Sequence, residues 1–217
     1  TGDQLKYIEL MELQLGKVVG DRKAVKHHAI KLAKELCGWR EESLLEVFTK
    51  LRGSLLRSKK ARAYAEHRGL HVDLLEVGYN SGSYEDLKNC LVFPLKNELG
   101  EIVSFYGRSI EEKGRARHFY QRGRSGFYPA SPGLDTERLI LTEGEINAAR
   151  LMLDGVLSAG DSVLAMYGAK VLSEDQELAI RRLKKLKEVV LYFDGDEAGR
   201  SGAAKWNAYL SKLLNNF

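Results

Sequence analysis

Two aspartates separated by one residue, Asp194 and Asp196, follow an apolar run of β-forming residues from Val189 to Phe193. The run predicts a strand buried on both faces. If the strand continues through the aspartates, their side chains point to the same side. Two close carboxylates repel each other, but together they suit a hard divalent cation. The alternative is a turn followed by a helix N-cap, and these residues alone favour neither interpretation.

A third acid, Glu143, follows the predicted strand 139–141, and the next predicted strand, 162–167, ends at a glycine. If these strands are parallel, Glu143 and the aspartate pair emerge at one carboxyl edge of the sheet, where open α/β sheets bind ligands. Glu143 alone is better explained as a helix N-terminal acid stabilised by the helix dipole. Three acids at two strand ends of one sheet favour an acidic cluster. Gly144 and Gly168 would let the backbone approach a bound phosphate closely.

Strand and helix patterns alternate from Arg138 onward, which predicts a parallel sheet with right-handed crossovers. Ser173 and Gln176 form a capping box for one of the crossover helices. The helices expected in this part span residues 145–153, 173–187 and about 197–214.

The first third of the chain is predicted to be helical, and a β-hairpin and a further short strand follow it. We expect Gly53 to end one helix and Ser58 to cap the next. Pro94 places its strand at a sheet edge or a strand end. The expected helices span residues 3–15, 24–36, 41–51 and 58–67, the strands 90–95, 101–106 and 118–120, and a linker 126–133.

Composition is that of an ordinary soluble globular protein, with 44% apolar and 29% charged residues among 217. No apolar run approaches the length of a membrane span, and no signal-peptide pattern is present. Cys37 and Cys90 stand alone, which excludes a zinc ribbon within this chain and fits a reducing cytoplasm. The five histidines are scattered without ligand spacing, so surface or packing roles are expected for them.

Basic residues are concentrated in two segments, although the net charge is only +4. Lys50 to Arg68 contains seven Lys or Arg and one acid, and Lys113 to Arg124 contains five basic residues and no acid. Such patches indicate a polyanion partner. A solvated face is the commoner explanation for any single run. Phe119, Tyr120 and Tyr128 lie in or near the second segment and could stack on bases, with core packing favoured for at least two of them.

Three segments resemble the ordered motifs of the TOPRIM domain, the acidic α/β fold shared by bacterial primases, topoisomerases and some nucleases. They are Thr142-Glu-Gly-Glu-Ile-Asn-Ala-Ala149, Met166-Tyr-Gly168 and Phe193-Asp-Gly-Asp-Glu-Ala-Gly-Arg200. The last is most similar to the version in DnaG-type bacterial and phage primases. Upstream, the segments 63–70, 77–79, 93–95 and 107–108 resemble the N-terminal subdomain of the primase catalytic core.

The resemblance implies an α/β fold with a TOPRIM-like parallel sheet flanked by helices, preceded by a helical and mixed α+β N-terminal subdomain. The implied domains are a helical region of unknown role (1–57), a primase-core-like subdomain with the hairpin and the basic loop (58–134), and a TOPRIM domain shortened at its C-terminal end (135–217). The implied function is a DNA primase catalytic core, a metal-dependent nucleotidyltransferase that makes RNA primers on single-stranded DNA. DNA replication in a cytoplasmic setting, including that of a mobile element, is the implied context.

By the same resemblance, Glu143 acts as general base or metal ligand, and Asp194 and Asp196 bind Mg²⁺ or Mn²⁺. Arg108 matches an arginine of the template- and nucleotide-binding face. The resemblance implies single-stranded DNA and ribonucleoside triphosphates as partners, with a replicative helicase as a further candidate and no membrane. The remaining nucleic-acid- or nucleotide-binding candidates are Arg117, Arg122, Arg124, Gly144 and Gly168.

Three features depart from the family pattern. Asn147 stands where many members have an acid, the sequence stops after the third TOPRIM helix, and no zinc-binding domain precedes the core. We therefore expect residues 1–217 to bind single-stranded DNA but to prime poorly. Two alternatives stay open, a TOPRIM nuclease and a non-catalytic nucleic-acid-binding module that keeps the fold with a reduced metal site.

Overall fold

The computed structural model describes residues 42–84, 87–111, 116–121, 125–168 and 172–214. The chain divides into two compact units, Thr1–Ser43 and Leu44–Phe217. All helices and strands described below belong to the second unit. The helices predicted over residues 3–15 and 24–36 lie outside the described residues. None of the described helices is long and apolar enough to cross a membrane.

Two helices open the described unit, α1 (Leu44–Arg57) and α2 (Lys59–His67). Ser58 caps α2 as predicted, because its hydroxyl accepts a hydrogen bond from the backbone N–H of Ala61. The prediction that Gly53 ends the preceding helix is wrong. Leu51 and Leu55 on either side of it are both buried, and this packing carries α1 through the glycine.

An antiparallel sheet follows, with strand order β1-β2-β3-β4. Strands β2 and β3 form the predicted hairpin, and β4 coincides with the predicted third strand. The register places Tyr106 opposite Tyr120 and Arg108 opposite His118, so these four side chains share one face of the sheet. The strands are β1 (Gly78–Asn80), β2 (Cys90–Lys96), β3 (Ile102–Ser109) and β4 (His118–Tyr120).

Pro94 lies inside β2, an interior strand of this sheet. The three residues of β1 pair only with Cys90, Leu91 and Val92. The pairing of β1 with β2 therefore does not reach Pro94, and at Pro94 β2 pairs with β3 on one side only. The missing N–H of the proline is tolerated there because this part of β2 is locally an edge.

The predicted parallel sheet is present, with strand order β6-β5-β7. Its connections are α3 between β5 and β6 and α4 between β6 and β7, and α5 follows β7. The elements are β5 (Arg138–Thr142), α3 (Glu145–Leu153), β6 (Asp161–Ala165), α4 (Glu174–Arg181), β7 (Glu188–Tyr192) and α5 (Glu197–Leu214).

The prediction that the run before the aspartates is a strand buried on both faces is wrong. Strand β7 ends at Tyr192, and its residues are only partly buried or exposed. The central, buried strand is β5, because β7 pairs only with β5 and lies at one end of the described sheet. Asp194 and Asp196 therefore lie in the connection to α5 rather than on a continuing strand.

Helix α4 carries the predicted capping box, in which the side chains of Ser173 and Gln176 each bond to the other residue's backbone. The helix is shorter than predicted and ends at Arg181. The lysine-rich residues 184–187 form a turn that leads into β7.

The predicted linker 126–133 begins as a packed link between the two sheets. Phe127 exchanges two backbone hydrogen bonds with Lys96 at the end of β2. The carbonyl of Tyr128 accepts a hydrogen bond from the backbone N–H of Ala165 in β6. The Tyr128 side chain is buried in a hydrophobic cluster that also contains residues from both sheets. The two sheets are therefore joined by backbone hydrogen bonds and by a shared core.

Candidate active site

A cleft of about 390 Å³ lies between the face of the antiparallel sheet that carries Tyr106 and Arg108 and the carboxyl edge of the parallel sheet. Its position agrees with the rule that open α/β sheets bind ligands beyond the carboxyl ends of their strands. The lining residues are Arg68, Tyr106, Arg108, Arg117, His118, Tyr120, Glu143, Gly144, Glu145, Ile146, Asn147, Tyr167, Gly168 and Asp194.

Three arginines supply what we call the basic wall, namely Arg68, Arg108 and Arg117. Arg108 on β3 is 8% exposed, and its Nε donates to the hydroxyl of Tyr64 at 3.4 Å. Among the described residues, no carboxylate forms an ion pair with Arg108. A guanidinium that is buried beside neutral partners keeps its full charge for an anion that enters the cleft.

His118 on β4 contacts Arg108 directly, with 2.5 Å between its Nε2 and an Nη1 of the guanidinium. Its Nδ1 lies 2.8 Å from the hydroxyl of Tyr106. Although His118 is partly exposed to solvent, desolvation lowers its pKa, and the charges of Arg108, Arg117 and Arg68 lower it further, while Asp194 opposes this effect. The imidazole is therefore neutral at ordinary pH.

Three acids supply what we call the acidic wall, namely Glu143, Glu145 and Asp194. Burial raises the pKa of Glu143, as do the nearby charges of Asp194 and Asp196, although a backbone hydrogen bond from Asp194 lowers it. The Oε1 atom of Glu143 is buried and has no hydrogen-bond partner. Such an oxygen is available to take up a proton or a cation.

The two aspartates of the motif do different things. Asp194 lines the cleft, and its Oδ1 accepts a hydrogen bond from the side-chain amide of Asn147 at 3.0 Å. Asp196 does not line the cleft, and its Oδ1 accepts from the backbone N–H of Gly199 at 2.8 Å. The second contact is a helix N-cap at the start of α5. The turn-and-cap alternative thus describes Asp196, and Asp194 is the aspartate that faces the cleft.

Glu145 in the first turn of α3 is 1% exposed. Burial raises the pKa of its carboxyl group to about 8, although its own backbone N–H opposes the shift. Its Oε2 atom also has no hydrogen-bond partner. Glu145 is therefore protonated at neutral pH, and its negative charge appears only as the pH approaches 8.

Glycines bring the backbone close to these acids. A Cβ atom on Gly199 would lie 2.0 Å from the carbonyl oxygen of Asp194 and 3.0 Å from Oε1 of Glu143, so only glycine fits where α5 passes this connection. At Gly144 and Gly168 an added Cβ would meet nothing within 4 Å, and both residues line the cleft. The Gly168 N–H donates to the Glu143 carbonyl at 3.1 Å and holds the ends of β5 and β6 together.

The three aromatic residues that were predicted to be able to stack on bases lie in different environments. Tyr128 is buried in the core, and Phe119 packs against a second hydrophobic cluster. Tyr120 is half-buried in the cleft, and its ring lies between those of Tyr106 and Tyr167, with centroid distances of 4.9 and 5.1 Å. Of the three, Tyr120 is the one in a position to contact a base.

Most of the residues predicted from the sequence meet in this one cleft, namely Arg108, Arg117, Glu143, Gly144, Gly168 and Asp194. Arg122 and Arg124 lie outside the described residues, and Asp196 serves as the helix cap. Sequence reasoning missed Arg68, His118 and Glu145 as cleft residues. Only the register of β3 with β4 brings His118 to Arg108, so no local sequence signal could have found it. Glu145 did carry a sequence signal, because it is an acid on a helix whose neighbouring residues Ile146, Ala148 and Ala149 are apolar and buried.

The acids fit a divalent cation in part. Within the described residues, no group of three or more His, Cys, Asp or Glu side chains is gathered closely enough to hold a metal. The unpartnered Oε1 of Glu143 and the exposed carboxylate of Asp194 are nevertheless hard oxygen donors on one wall. These two residues would supply the protein ligands, with water or ligand oxygens completing the coordination.

The arrangement of the two sheets around the cleft is the fold of the DnaG primase catalytic core. The zinc-binding and RNA polymerase domains of Aquifex aeolicus primase match with a TM-score of 0.59 and 19% identity, over 91% of this chain and 59% of that one. A DnaG primase catalytic domain bound to single-stranded DNA matches with a TM-score of 0.54 and 20% identity, over 75% of this chain and 62% of that one. The predicted fold class is therefore confirmed.

Sequence comparison leads to the same proteins. The DNA primase of Haemophilus influenzae is 29% identical over 166 residues, which cover 70% of this chain and 26% of that protein. No protein-family model matches the chain. The predicted resemblance to DnaG-type primases is confirmed, and the chain spans about a quarter of the length of that curated relative.

Proposed function

We propose that this chain is the catalytic core of a DNA primase, which joins ribonucleotides on a single-stranded DNA template. The observation that carries the proposal is the cleft, in which a basic wall and an acidic wall meet within the fold of the DnaG core. The combination suits a nucleoside triphosphate, because arginines bind its phosphates and carboxylates hold the cation that accompanies it. Single-stranded DNA as the template is supported by the similar catalytic domain that binds it.

The reaction requires a ribose 3′-oxygen to form a bond to the α-phosphorus of a nucleoside triphosphate. The bond between the α-phosphorus and the bridging oxygen breaks, and pyrophosphate leaves. Glu143 would act either as the base that takes the hydroxyl proton or as a ligand of the cation, and its raised pKa and unpartnered Oε1 support both roles. Arg108 would hold the phosphate charge, and the absence of an ion pair with any described carboxylate supports this role.

Mg²⁺ or Mn²⁺ is part of the proposal, and Asp194 would hold it, together with Glu143 when Glu143 acts as a ligand rather than as the base. When bound, the cation would offset negative charge on the phosphate oxygens. Asp196 supports the site by capping α5 rather than by lining the cleft. A replicative helicase as partner, a cytoplasmic location and an origin in a mobile element stay predictions from the sequence.

A primer-synthesis assay tests the proposal, with labelled ribonucleotides, Mn²⁺ or Mg²⁺ and mixed-sequence single-stranded DNA. We expect wild type to join ribonucleotides slowly, as predicted for residues 1–217, and Glu143→Gln to lose about 10²- to 10³-fold of that rate, the usual cost of removing one group that acts on the transition state. Glu174→Gln on the exposed first turn of α4 is the matched control and keeps the wild-type rate. Equal rates in wild type and Glu143→Gln would contradict the proposal.

One contact favours a second candidate, a nucleic-acid-binding module without catalysis. The amide of Asn147 donates to Asp194 and places a neutral donor where a further acid would strengthen a cation site. On this alternative the chain binds single-stranded DNA and shows no incorporation with either metal. A Mn²⁺ titration of wild type and Asp194→Asn separates the candidates, since equal affinities would mean that Asp194 holds no cation.

A further inference from the structure

The inference concerns His118, which the proposed function does not use. Its ring lies between two residues of the neighbouring strand, with Arg108 at Nε2 and Tyr106 at Nδ1. A guanidinium can only donate hydrogen bonds, so Nε2 of His118 must be the acceptor. The imidazole proton then resides on Nδ1 and is donated to the hydroxyl oxygen of Tyr106. The contacts define a neutral ring in one tautomer.

The two hydrogen bonds that orient the Arg108 side chain both go to neutral partners. Its Nε donates to the hydroxyl of Tyr64 and its Nη1 donates to His118. A carboxylate in either place would fix the arginine equally well but would cancel its charge. Neutral acceptors orient the guanidinium and leave its charge available to the cleft. An arginine held in one rotamer also loses less entropy when it binds an anion.

We propose that His118 is a positioning residue that holds the Arg108 guanidinium in place for a phosphate group in the cleft. The proposal rests on the proposed function only in taking phosphate as the ligand of Arg108. The phosphate could belong to a nucleoside triphosphate or to the DNA backbone. His118 itself need not touch the ligand.

The arrangement has a consequence for pH. A protonated imidazole has no acceptor nitrogen, so it would lose its bond to Arg108 and place a second cation beside it. The charged groups that act on the ring are Arg108 on β3, Arg117 just before β4, Arg68 after α2 and Asp194 after β7. The three arginines oppose protonation and Asp194 favours it. Release of Arg108 is therefore expected below the usual pKa of histidine, about 6.5.

Four variants test the proposal, with two probes that distinguish the sources of phosphate. The probes are MgATP and a fluorescent single-stranded oligodeoxythymidylate, and each is measured at pH 7.5 and at pH 5. His118→Leu removes the acceptor, and His118→Gln restores an uncharged acceptor that can reach Arg108 but cannot titrate. Arg108→Ala removes the guanidinium group itself. His67→Gln is the control, since His67 is exposed in the last turn of α2.

At pH 7.5 we expect Arg108→Ala to weaken binding of at least one probe about tenfold and His118→Leu to weaken the same probe about threefold to tenfold. His118→Gln and His67→Gln should bind within about twofold of wild type. At any pH low enough to protonate His118, wild type and His67→Gln should lose affinity that His118→Gln keeps. Any titration of the probe is the same in all variants. The difference in pH dependence of affinity between wild type and His118→Gln therefore reports the protonation of the His118 imidazole.

The outcomes separate the inference from the proposed function. If Arg108→Ala weakens a probe but His118→Leu does not, or if His118→Gln fails to restore the affinity that His118→Leu loses, the positioning role of His118 is wrong and the proposed function stands. If Arg108→Ala binds both probes like wild type, the phosphate role of Arg108 is wrong, and the inference fails with it. Thermal unfolding of each variant confirms that the differences do not come from loss of the fold.

Discussion

The two walls of the cleft differ in how their polar groups are satisfied. On the basic wall, Arg108 is bonded to Tyr64 and His118, and His118 is bonded in turn to Tyr106. On the acidic wall, Glu143 and Glu145 each keep one buried oxygen atom without a partner. Buried polar atoms without partners cost stability, and they persist mainly where function requires them.

The difference shows which wall depends more on its ligand. On the basic wall, Arg108 is oriented by its own hydrogen bonds before any anion arrives, so part of its contribution to binding comes from preorganisation. The acidic wall is stabilised only when a proton or a cation satisfies its carboxylates. Changes to the acidic wall should therefore alter the stability of the protein, whereas changes to the basic wall should alter affinity.

The largest expected effect is on stability, at Glu145. Its pKa is raised by burial to about 8 in the folded protein, against 4.5 for the ordinary group. The stabilising effect of the proton is fully present below pH 4.5 and is lost as the pH rises through 8, at about 1.4 kcal/mol per pH unit. Glu145→Gln cannot ionise, so we expect it to be more stable than wild type at pH 8.5 by a few kcal/mol and to lose this advantage near pH 5.

Urea unfolding at half-unit steps from pH 5 to 9 measures the difference between the two proteins. Glu174→Gln is the control, since this glutamate is exposed and should show no pH-dependent difference from wild type. Parallel stability curves for wild type and Glu145→Gln would mean that Glu145 is not protonated in the folded protein, and the contrast between the walls would be weaker than described.

A smaller effect, about tenfold, is expected on affinity when Arg108 on β3 is compared with Arg117, which lies just before β4. Arg108 is buried and held by neutral partners, while Arg117 is exposed. Removing one arginine that binds a phosphate should flatten the log–log salt dependence of single-stranded DNA binding by about 0.7. Arg108→Ala should weaken binding about tenfold at fixed salt and Arg117→Ala about threefold, because the preorganised arginine loses less entropy on binding.

Fluorescence anisotropy over a series of salt concentrations measures both slope and affinity for the two variants. Arg182→Ala is the control, since Arg182 pairs with Glu98 outside the cleft. Equal reductions in affinity for Arg108→Ala and Arg117→Ala would show that charge alone matters and that the hydrogen bonds of the basic wall contribute nothing.

The smallest effect, a few-fold change, is expected at Asn147. Asn147→Asp replaces the amide that donates to Asp194 with a carboxylate that repels it. Without metal the variant should be less stable than wild type by about 1 kcal/mol. With Mn²⁺ the added carboxylate should raise affinity about threefold to tenfold. Thermal unfolding with and without Mn²⁺ measures both; a variant destabilised equally in the two conditions would place the cation away from Asp194.

Local patterns predicted the elements of the parallel sheet well but could not predict strand order. The capping box of Ser173 and Gln176 and the helix from Glu145 to Leu153 lie where they were expected, because the interactions that specify them are only a few residues apart. The apolar run before Asp194 was misjudged as a buried central strand. Its burial depends on having neighbours on both sides, and strand order is set by contacts distant in sequence.

For the candidate site, too, some residues were predicted from the sequence and others were missed. Glu143 and Asp194 were found because both follow strands, and parallel strands bring their carboxyl ends together. His118 was assigned a surface or packing role, since nothing near it in the sequence marks it. Only the pairing of β3 with β4 places its ring against Arg108. Residues that act through a neighbour on another strand need the register, and the register needs the structure.

The packed link at residues 126–129 has a mechanical consequence. The backbone of Phe127 is hydrogen-bonded to Lys96 at the end of β2, and the backbone of Tyr128 is hydrogen-bonded to Ala165 at the end of β6. The hydroxyl of Tyr167, beside the acidic wall, also donates to the carbonyl of Gly126 at 2.8 Å. A hinge that opened the cleft by swinging one sheet away from the other would have to break these bonds and divide a shared core. We therefore expect the two sheets to move as one rigid body and to unfold in a single cooperative transition, with the cleft adjusting to its contents through side chains.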